Sequence, residues 1–110
     1  MRYRKNVGDI GENFAAGLLE NSGHQIIERN YLTRAGEIDI IALKDGVIHF
    51  IEVKTRNGNQ YGYPSESVTS AKQRKIRKSA EIYLQSRRMT WKKVSFDVYE
   101  IMTDLIENCM

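Results

Sequence analysis

Two carboxylates and a lysine lie close together in segments rich in isoleucine and valine. Asp39 lies within residues 36–43, and Glu52 and Lys54 lie within residues 47–54. Carboxylate oxygens are the ligands that Mg²⁺ prefers, and Mg²⁺ sites are often built on one or two carboxylates. Two carboxylates that converge beside a lysine are therefore suited to hold a divalent metal ion.

The turn between these segments decides whether the charged residues meet. An Asp-Gly dipeptide at residues 45–46, between alternating apolar runs, predicts a hairpin with a two-residue loop. Counting outward from the loop places Asp39 opposite Glu52 and Glu37 opposite Lys54, and opposed residues project from the same side of a hairpin. The residues that we expect in the core from the other side are Ile38, Ile40, Ile51 and Val53.

Opposed carboxylates repel each other. At ~5 Å and an effective dielectric constant of ~20, the repulsion between Asp39 and Glu52 is on the order of 3 kcal/mol. A raised carboxyl pKa, the cations of Lys54 and nearby arginines, or a bound metal ion would offset it. The alternative interpretation is a solvated hairpin face on which Glu37 and Lys54 form an ordinary ion pair. Apolar residues on both faces near the turn predict a hairpin that is buried on both sides, where charges are costly.

Composition predicts one soluble domain over residues 1–110, with 41% hydrophobic and 28% charged residues. No apolar run approaches the length of a membrane span, so we expect no membrane partner. The lone cysteine, Cys109, cannot form an internal disulfide and predicts a reducing, cytoplasmic setting. With His24 and His49 as the only histidines, a zinc site is not expected; His49 falls on the hairpin face opposite the carboxylates.

The predicted element order is α-β-β-β-α-β, a mixed α/β sheet with packed helices. Residues 7–22 predict a helix, residues 25–32 a strand, residues 55–64 a loop, and residues 94–99 a closing strand. A second helix begins near Thr69 or Ser70. Each helix carries an apolar stripe that we expect to pack against the sheet. The stripe residues are Ile10, Phe14, Ala15, Leu18, Leu19, Ile76, Ala80, Tyr83 and Leu84. Trp91 and Phe96 are expected in the core rather than as platforms for stacked bases.

The second helix is strongly basic. Its cations are Lys72, Arg74, Lys75, Arg77 and Lys78, and Arg87, Arg88, Lys92 and Lys93 follow. Glu81 is the one acidic residue from Lys72 to Lys93, so internal pairing cannot neutralise these charges. A solvated helix face is one interpretation; an anionic partner is the other, and nucleic acid is the commonest large one.

These residues also occur as an ordered set of motifs. The set comprises Gly11-Glu12 with Ala15, Arg29-Asn30-Tyr31, Gly36-Glu37-Ile38-Asp39-Ile40-Ile41, Phe50-Ile51-Glu52-Val53-Lys54-Thr55-Arg56, Val68 with Lys72-Gln73-Arg74, and Phe96-Asp97-Val98. It spans nearly the whole chain and resembles the YraN-like family of bacterial proteins, within the PD-(D/E)xK nuclease superfamily. Ile38 stands where the superfamily name has proline.

The resemblance implies a restriction-endonuclease-like αβββαβ core, similar to that of archaeal Holliday-junction resolvases, and metal-dependent hydrolysis of phosphodiester bonds. Asp39 and Glu52, with the Val53 carbonyl, would bind Mg²⁺ or Mn²⁺. Lys54 would orient or deprotonate the attacking water, or stabilise the developing negative charge. Glu12 would act through a metal-bound water.

The implied substrate is DNA rather than RNA, and branched or otherwise structured DNA is one candidate. Gln73 would lie at the edge of the site, and Arg56 and the basic helix, including Lys72, Arg74, Lys75, Arg77 and Lys78, would hold the phosphates. A chain this small would have to act as a homodimer to cut two strands. The alternative is a binding module of the same fold that serves recombination, repair or RNA-related processes without cutting.

Overall fold

The computed structural model describes residues 2–56, 69–88 and 90–102. Helix α1 spans Arg2–Asn21, and strands β1, β2 and β3 span Gln25–Thr33, Gly36–Lys44 and Val47–Arg56. Helix α2 spans Ser70–Ser86, and strand β4 spans Lys93–Met102. The predicted order α-β-β-β-α-β is confirmed, and each strand extends the predicted one by one or more residues.

The four strands form one mixed sheet in the order β1-β2-β3-β4. The β2–β3 hairpin has the predicted register, with Lys44 opposite Val47 and Ile40 opposite Ile51. Asp45 and Gly46 both take positive φ angles, 51° and 81°, as a tight two-residue hairpin loop requires. Strand β4 returns parallel to β3, so β1 and β4 are the edges of the sheet.

The helices lie on opposite faces of the sheet, and each covers its own core. The core under α1 contains Ala15, Ala16, Leu19, Ile40, Ala42, Ile51 and Ile101. The core under α2 contains Ile38, Ile41, Ile48, Phe50, Ala80 and Tyr83. Buried Ser79 of α2 lies 2.9 Å from the Thr33 hydroxyl at the β1–β2 turn, and this hydrogen bond fixes α2 over the first two strands.

Thr69, not Ser70, caps α2, because its hydroxyl accepts a hydrogen bond from the Lys72 backbone N–H at 3.2 Å. His49 pairs with Ala42 and lies on the face of the sheet that α1 covers, where its ring nitrogen contacts the Asp97 carboxylate at 2.7 Å. Among the described helices, none is long and apolar enough to cross a membrane.

Three expected core residues are exposed. Leu18 is 44% exposed because it falls at the outer margin of the α1 stripe, whose buried centre is formed by Ala15 and Leu19. Trp91 is 37% and Phe96 is 44% exposed, since they lie before and within the edge strand β4 and α2 packs chiefly on β2. Thr55 and Arg56, predicted as the start of a loop, belong to β3, and residues 57–64 and Cys109 lie outside the described residues.

Candidate metal and phosphate site

Strand β2 changes face at Asp39. Ile40 is buried in the core under α1, whereas Ile38, two residues earlier, is buried in the core under α2. Regular alternation would place both on one side, so the prediction that Ile38 shares a face with Ile40 is wrong. Neighbouring β1 departs from extended geometry at the same level, where Asn30 takes a φ of 53°. Asp39 therefore lies at an irregular point of the sheet.

The side chain of Asp39 accepts a hydrogen bond from β3 just beyond the point where the backbone pairing of β2 and β3 ends. The described β2–β3 pairing ends at Ile40 and Ile51, one residue before Asp39 would face Glu52. Beyond that point, the Val53 backbone N–H donates to Asp39 Oδ2 at 2.7 Å. The local opening of the hairpin thus leaves room for a carboxylate between the strands, and the hydrogen bond fixes its orientation.

The carboxyl groups of Asp39 and Glu52 meet as predicted. Burial, the negative charge of Asp39 and a side-chain hydrogen bond with Asp39 together raise the pKa of Glu52 to about 7, although the charges of Lys54 and Lys72 act in the opposite direction. A hydrogen bond between two carboxyl groups requires that one of them carry a proton, because two ionised carboxylates can only accept. A cation bound between the two groups would relieve the same repulsion.

Two lysines join this pair from different elements. Lys54 of β3 lies near both carboxylates, and Lys72 of α2 lies near Glu52 and within hydrogen-bonding distance of Lys54. The hydrogen bond with Lys72 and burial lower the pKa of the Lys54 ammonium, although Glu52 and Asp39 act in the opposite direction. An amine with a lowered pKa can accept a proton nearer to neutral pH than an ordinary lysine.

Glu12 has its own partners on the α1 side. Gly11 lets α1 approach β3 closely, since a Cβ there would lie 3.0 Å from the Thr55 hydroxyl. Glu12 Oε1 then accepts hydrogen bonds from Arg29 at 3.1 Å and from Asn30 at 2.9 Å. Asn30 lies between the β1 residues that pair with Ile38 and Ile40, so Glu12 holds the irregular part of β1 one strand away from Asp39.

The remaining predicted residues lie around this centre. Gln73 of α2 and Glu52 line one pocket of about 260 Å³. Arg74, Lys75 and Lys78 line a second depression of about 350 Å³, which lies between α2 and Ala35 of the β1–β2 turn. Arg56 is half-buried at the end of β3, and Arg77 is exposed and lies over the Phe96 ring.

The donor set fits a Mg²⁺ or Mn²⁺ ion that keeps part of its water shell. In residues 2–56, 69–88 and 90–102, no three histidine, cysteine or acidic side chains form a metal-binding group. Protein-bound Mg²⁺ commonly has one or two carboxylate ligands and completes its shell with water and substrate phosphate. The carboxylates of Asp39 and Glu52 meet that requirement, with the Val53 carbonyl as the predicted third protein ligand.

We predict that Glu52→Gln stabilises the protein above pH 7. The folded protein holds the Glu52 proton more tightly than the unfolded chain, so stability from this group is lost as the pH rises from 4.5 to about 7. Glutamine has no proton to lose. After allowance for solvent screening, we expect a gain on the order of 1 kcal/mol at pH 8, or roughly 4–8 °C in melting temperature.

The measurement is thermal unfolding without divalent ions at pH 5 and pH 8. The variant and the wild type should melt together at pH 5 and separate at pH 8. Glu37→Gln is the matched control, because Glu37 is exposed in the neighbouring strand β2. An equal gain at both pH values would show that the carboxyl pair does not share a proton.

Some site residues were not evident from the sequence. The motifs indicated Lys72 as a phosphate ligand, but its contact with Lys54 depends on how α2 packs on the sheet. Asn30 carries a positive φ without being glycine, and Asn tolerates that conformation better than most residues. That preference, together with the neighbouring Arg29, was the available signal for the contact with Glu12.

Comparisons of the sequence with known proteins show which family it matches. The model of the family described as "Uncharacterised protein family UPF0102" matches residues 11–101. A UPF0102 protein of Clostridium perfringens is 46% identical over 100 residues, covering 91% of this chain and 82% of the relative. A UPF0102 protein of Dictyoglomus turgidum is 43% identical over 98 residues, covering 89% and 83%. A third, from Symbiobacterium thermophilum, is 47% identical over 97 residues, covering 88% and 82%.

The matched region of the family model includes the whole β-sheet except its last residue, together with Glu12 and all of α2. The identities and the coverage are high enough to assign the family directly. This chain belongs to the UPF0102 family, as the resemblance of its motifs to YraN-like proteins predicted.

Proposed function

We propose that this protein is a metal-dependent endonuclease that hydrolyses phosphodiester bonds of DNA. The observation that carries the proposal is the meeting of Asp39 and Glu52 beside the amino groups of Lys54 and Lys72. Two acidic groups held together against their repulsion lower the stability of the fold, and such arrangements are typical of functional sites. The adjoining lysines supply positive charge for a phosphate.

In this proposal Asp39 and Glu52 hold Mg²⁺ or Mn²⁺, with the Val53 carbonyl. The chemistry that such an ion supplies is activation of water and neutralisation of negative charge on the phosphate. The hydrogen bond from the Val53 N–H keeps the Asp39 carboxylate in place. Lys54 Nζ, whose pKa is lowered, orients the attacking water and accepts its proton. Lys72 Nζ binds an oxygen of the same phosphate.

The rest of the substrate would lie along α2. Arg74, Lys75 and Lys78 are exposed on one helix face and contribute three positive charges where α2 passes the β1–β2 turn. Cations arranged in this way bind the nucleic-acid backbone without reading its sequence. Arg56, two residues beyond Lys54, extends the positive charge toward the end of β3.

A second candidate function is a binding module that keeps the basic surface without cutting. The observation in its favour is that the described residues supply two clustered carboxylates rather than three. In that case the proton shared by Asp39 and Glu52 would be a permanent feature, and nucleic acid would bind through α2 alone.

Cleavage of labelled junction, flap and linear DNA separates the two functions. We expect cutting that requires Mg²⁺ or Mn²⁺ and stops when EDTA is added. The DNA that is cut most efficiently identifies the substrate class. Binding that disappears above a few hundred millimolar salt, with no cutting of any substrate in either metal, would favour the binding module. RNA versions of the same substrates test the expected preference for DNA.

A further inference from the structure

A pocket of about 260 Å³ opens beside Glu52, between the start of α2 and the strands β3 and β4. It exists because α2 packs chiefly on β2 and leaves the neighbouring face of β4 uncovered. Phe96 and Val98 of β4 are consequently 44% and 43% exposed at the wall of this pocket. Exposed apolar side chains grouped in a concavity indicate a binding site more often than singly scattered ones do.

The walls and the rim of this pocket differ in chemistry. Phe96 stacks on buried Phe50 with ring centroids 5.6 Å apart and an angle of 25° between the rings, so the aromatic wall is held in place from below. Ile76 of α2 closes the apolar side. Gln73 and Arg77 provide hydrogen-bond donors and a positive charge at the rim, and the Arg77 guanidinium lies 5.4 Å from the centre of the Phe96 ring.

An apolar, aromatic-walled cavity with an amide and a guanidinium at its edge matches the chemistry of a nucleobase. A nucleobase has flat faces that stack on aromatic rings and arginine planes, and an edge of donors and acceptors that side-chain amides recognise. The pocket is smaller than the 300–1,000 Å³ that is typical of sites for drug-sized ligands, which favours a single ring system. Because Glu52 both lines the pocket and belongs to the candidate metal site, a base in the pocket would lie next to the phosphate of its own nucleotide.

We propose that this pocket binds one unstacked nucleobase of the nucleic acid whose backbone lies at Asp39 and Glu52. The proposal rests on the proposed function and adds a substrate class. A base can enter the pocket only when it has left the helical stack, and this costs least in single strands, mismatches and branched structures. The substrate is therefore DNA with unpaired bases near the scissile bond, rather than a regular duplex.

A second copy of this chain is the other occupant to consider, because β4 is an edge strand with an apolar face. Charge favours the nucleic acid, since Arg77 lines the pocket and Lys72 lies near Glu52. The carboxylate of Asp97, which also lines the pocket, contacts His49 at 2.7 Å. Two copies joined at this face would bring those cations toward each other, whereas a polyanion would neutralise them.

The test compares binding of two single strands of equal charge. One is a 12-nucleotide oligothymidylate, and the other is a 12-residue abasic deoxyribose-phosphate strand. Anisotropy is measured in EDTA, so that cleavage plays no part. We expect the wild type to prefer the base-bearing strand by roughly 5- to 150-fold, which corresponds to 1–3 kcal/mol for a stacked base.

Variants of the pocket decide where the preference arises. Phe96→Ala should lose most of it, and Phe96→Trp should retain it. Phe96→Leu keeps an apolar contact with Phe50 but lacks the ring, and it decides the outcome if the alanine variant does not fold. Leu32→Ala is the matched control, because Leu32 is 76% exposed on the opposite edge strand, and it should bind both strands as the wild type does.

Three results would overturn the base pocket. The first is a wild type that binds both strands equally, and the second is a folded Phe96→Leu variant that keeps the full preference. The third is a wild-type dimer, seen by light scattering, that Phe96→Leu converts to monomers, since the pocket would then be an interface between copies. Because these measurements require no cutting, they test the base pocket even if the cleavage assay shows no activity.

Discussion

Replacing Asp39 or Glu52 with alanine is expected to reduce metal-dependent cleavage by roughly 10³-fold or more. Loss of either ligand weakens a metal ion's stabilisation of the transition state by several kcal/mol, and each 1.36 kcal/mol is a factor of ten in rate. The expected loss is in cutting rather than in binding at low salt, because α2 retains its cations. Single-turnover cleavage at saturating protein measures this loss separately from affinity.

Conservative variants separate a loss of cleavage from a loss of folding. In Asp39→Asn, the amide oxygen can still accept the hydrogen bond from the Val53 N–H that Asp39 Oδ2 accepts at 2.7 Å. Glu37→Ala is the matched acidic control, since Glu37 is exposed in the same strand and pairs across to Leu32. It should cut as the wild type does. Equal residual cutting by the Asp39 and Glu52 variants would identify a contaminating nuclease.

The second large effect is expected in the salt dependence of binding. Removing Arg74, Lys75 and Lys78 together should make the slope of log affinity against log salt less steep by two to three, because each lost phosphate contact contributes about 0.9. For three contacts the difference in slope is about 2.7, and over the fourfold rise in salt from 50 to 200 mM this corresponds to a factor of roughly 40 in affinity. The affinity of the triple variant should therefore fall roughly 40-fold less over this range than that of the wild type.

A control with two exposed lysines lies at the other end of the sheet. Lys92 and Lys93 are exposed beside the hairpin turn, where Lys93 pairs with Val47, whereas Glu52 pairs with Val98 five residues further along β3. Removing both should change the slope by less than one. If the two sets change it equally per charge, binding is spread over the whole basic surface and α2 has no special part in it.

The hairpin and its register follow from local chemistry. Asp45 and Gly46 accept the positive φ angles of a tight loop, and once the loop is fixed, strand geometry dictates which residues approach each other. For this reason the meeting of Asp39 and Glu52 could be derived from spacing alone. The two-faced burial of β2 and β3 likewise follows from their apolar runs, and Ile40, Ile41, Phe50 and Ile51 are all buried.

The irregular point of the sheet could not be derived in that way. Alternation places Ile38 and Ile40 on one side, but the chain separates them by a change of face at Asp39. That change coincides with contacts between residues distant in sequence, such as Glu12 with Asn30 and Asp39 with the Val53 N–H. Local propensity contains no information about such contacts, and functional sites are where departures from local rules concentrate.

The exposure of Phe96 has a similar origin. Its alternation with Val94 and Val98 identified the strand correctly, yet a strand pattern does not specify which part of the sheet a helix will cover. Here the hydrogen bond of Ser79 to Thr33 helps hold α2 over β1 and β2, and β4 is left partly open. The pocket beside Glu52 results from this position of α2.

The position of a bound metal ion tests the central claim most directly. Crystals soaked in Mn²⁺ should show anomalous density between the carboxylates of Asp39 and Glu52, with metal–oxygen distances of about 2.0–2.2 Å that are typical of hard octahedral ions. Asp39→Asn crystals soaked in the same way should lack that density. Wild-type crystals with ordered carboxylates and no ion between them, or with the ion bound elsewhere, would contradict the account.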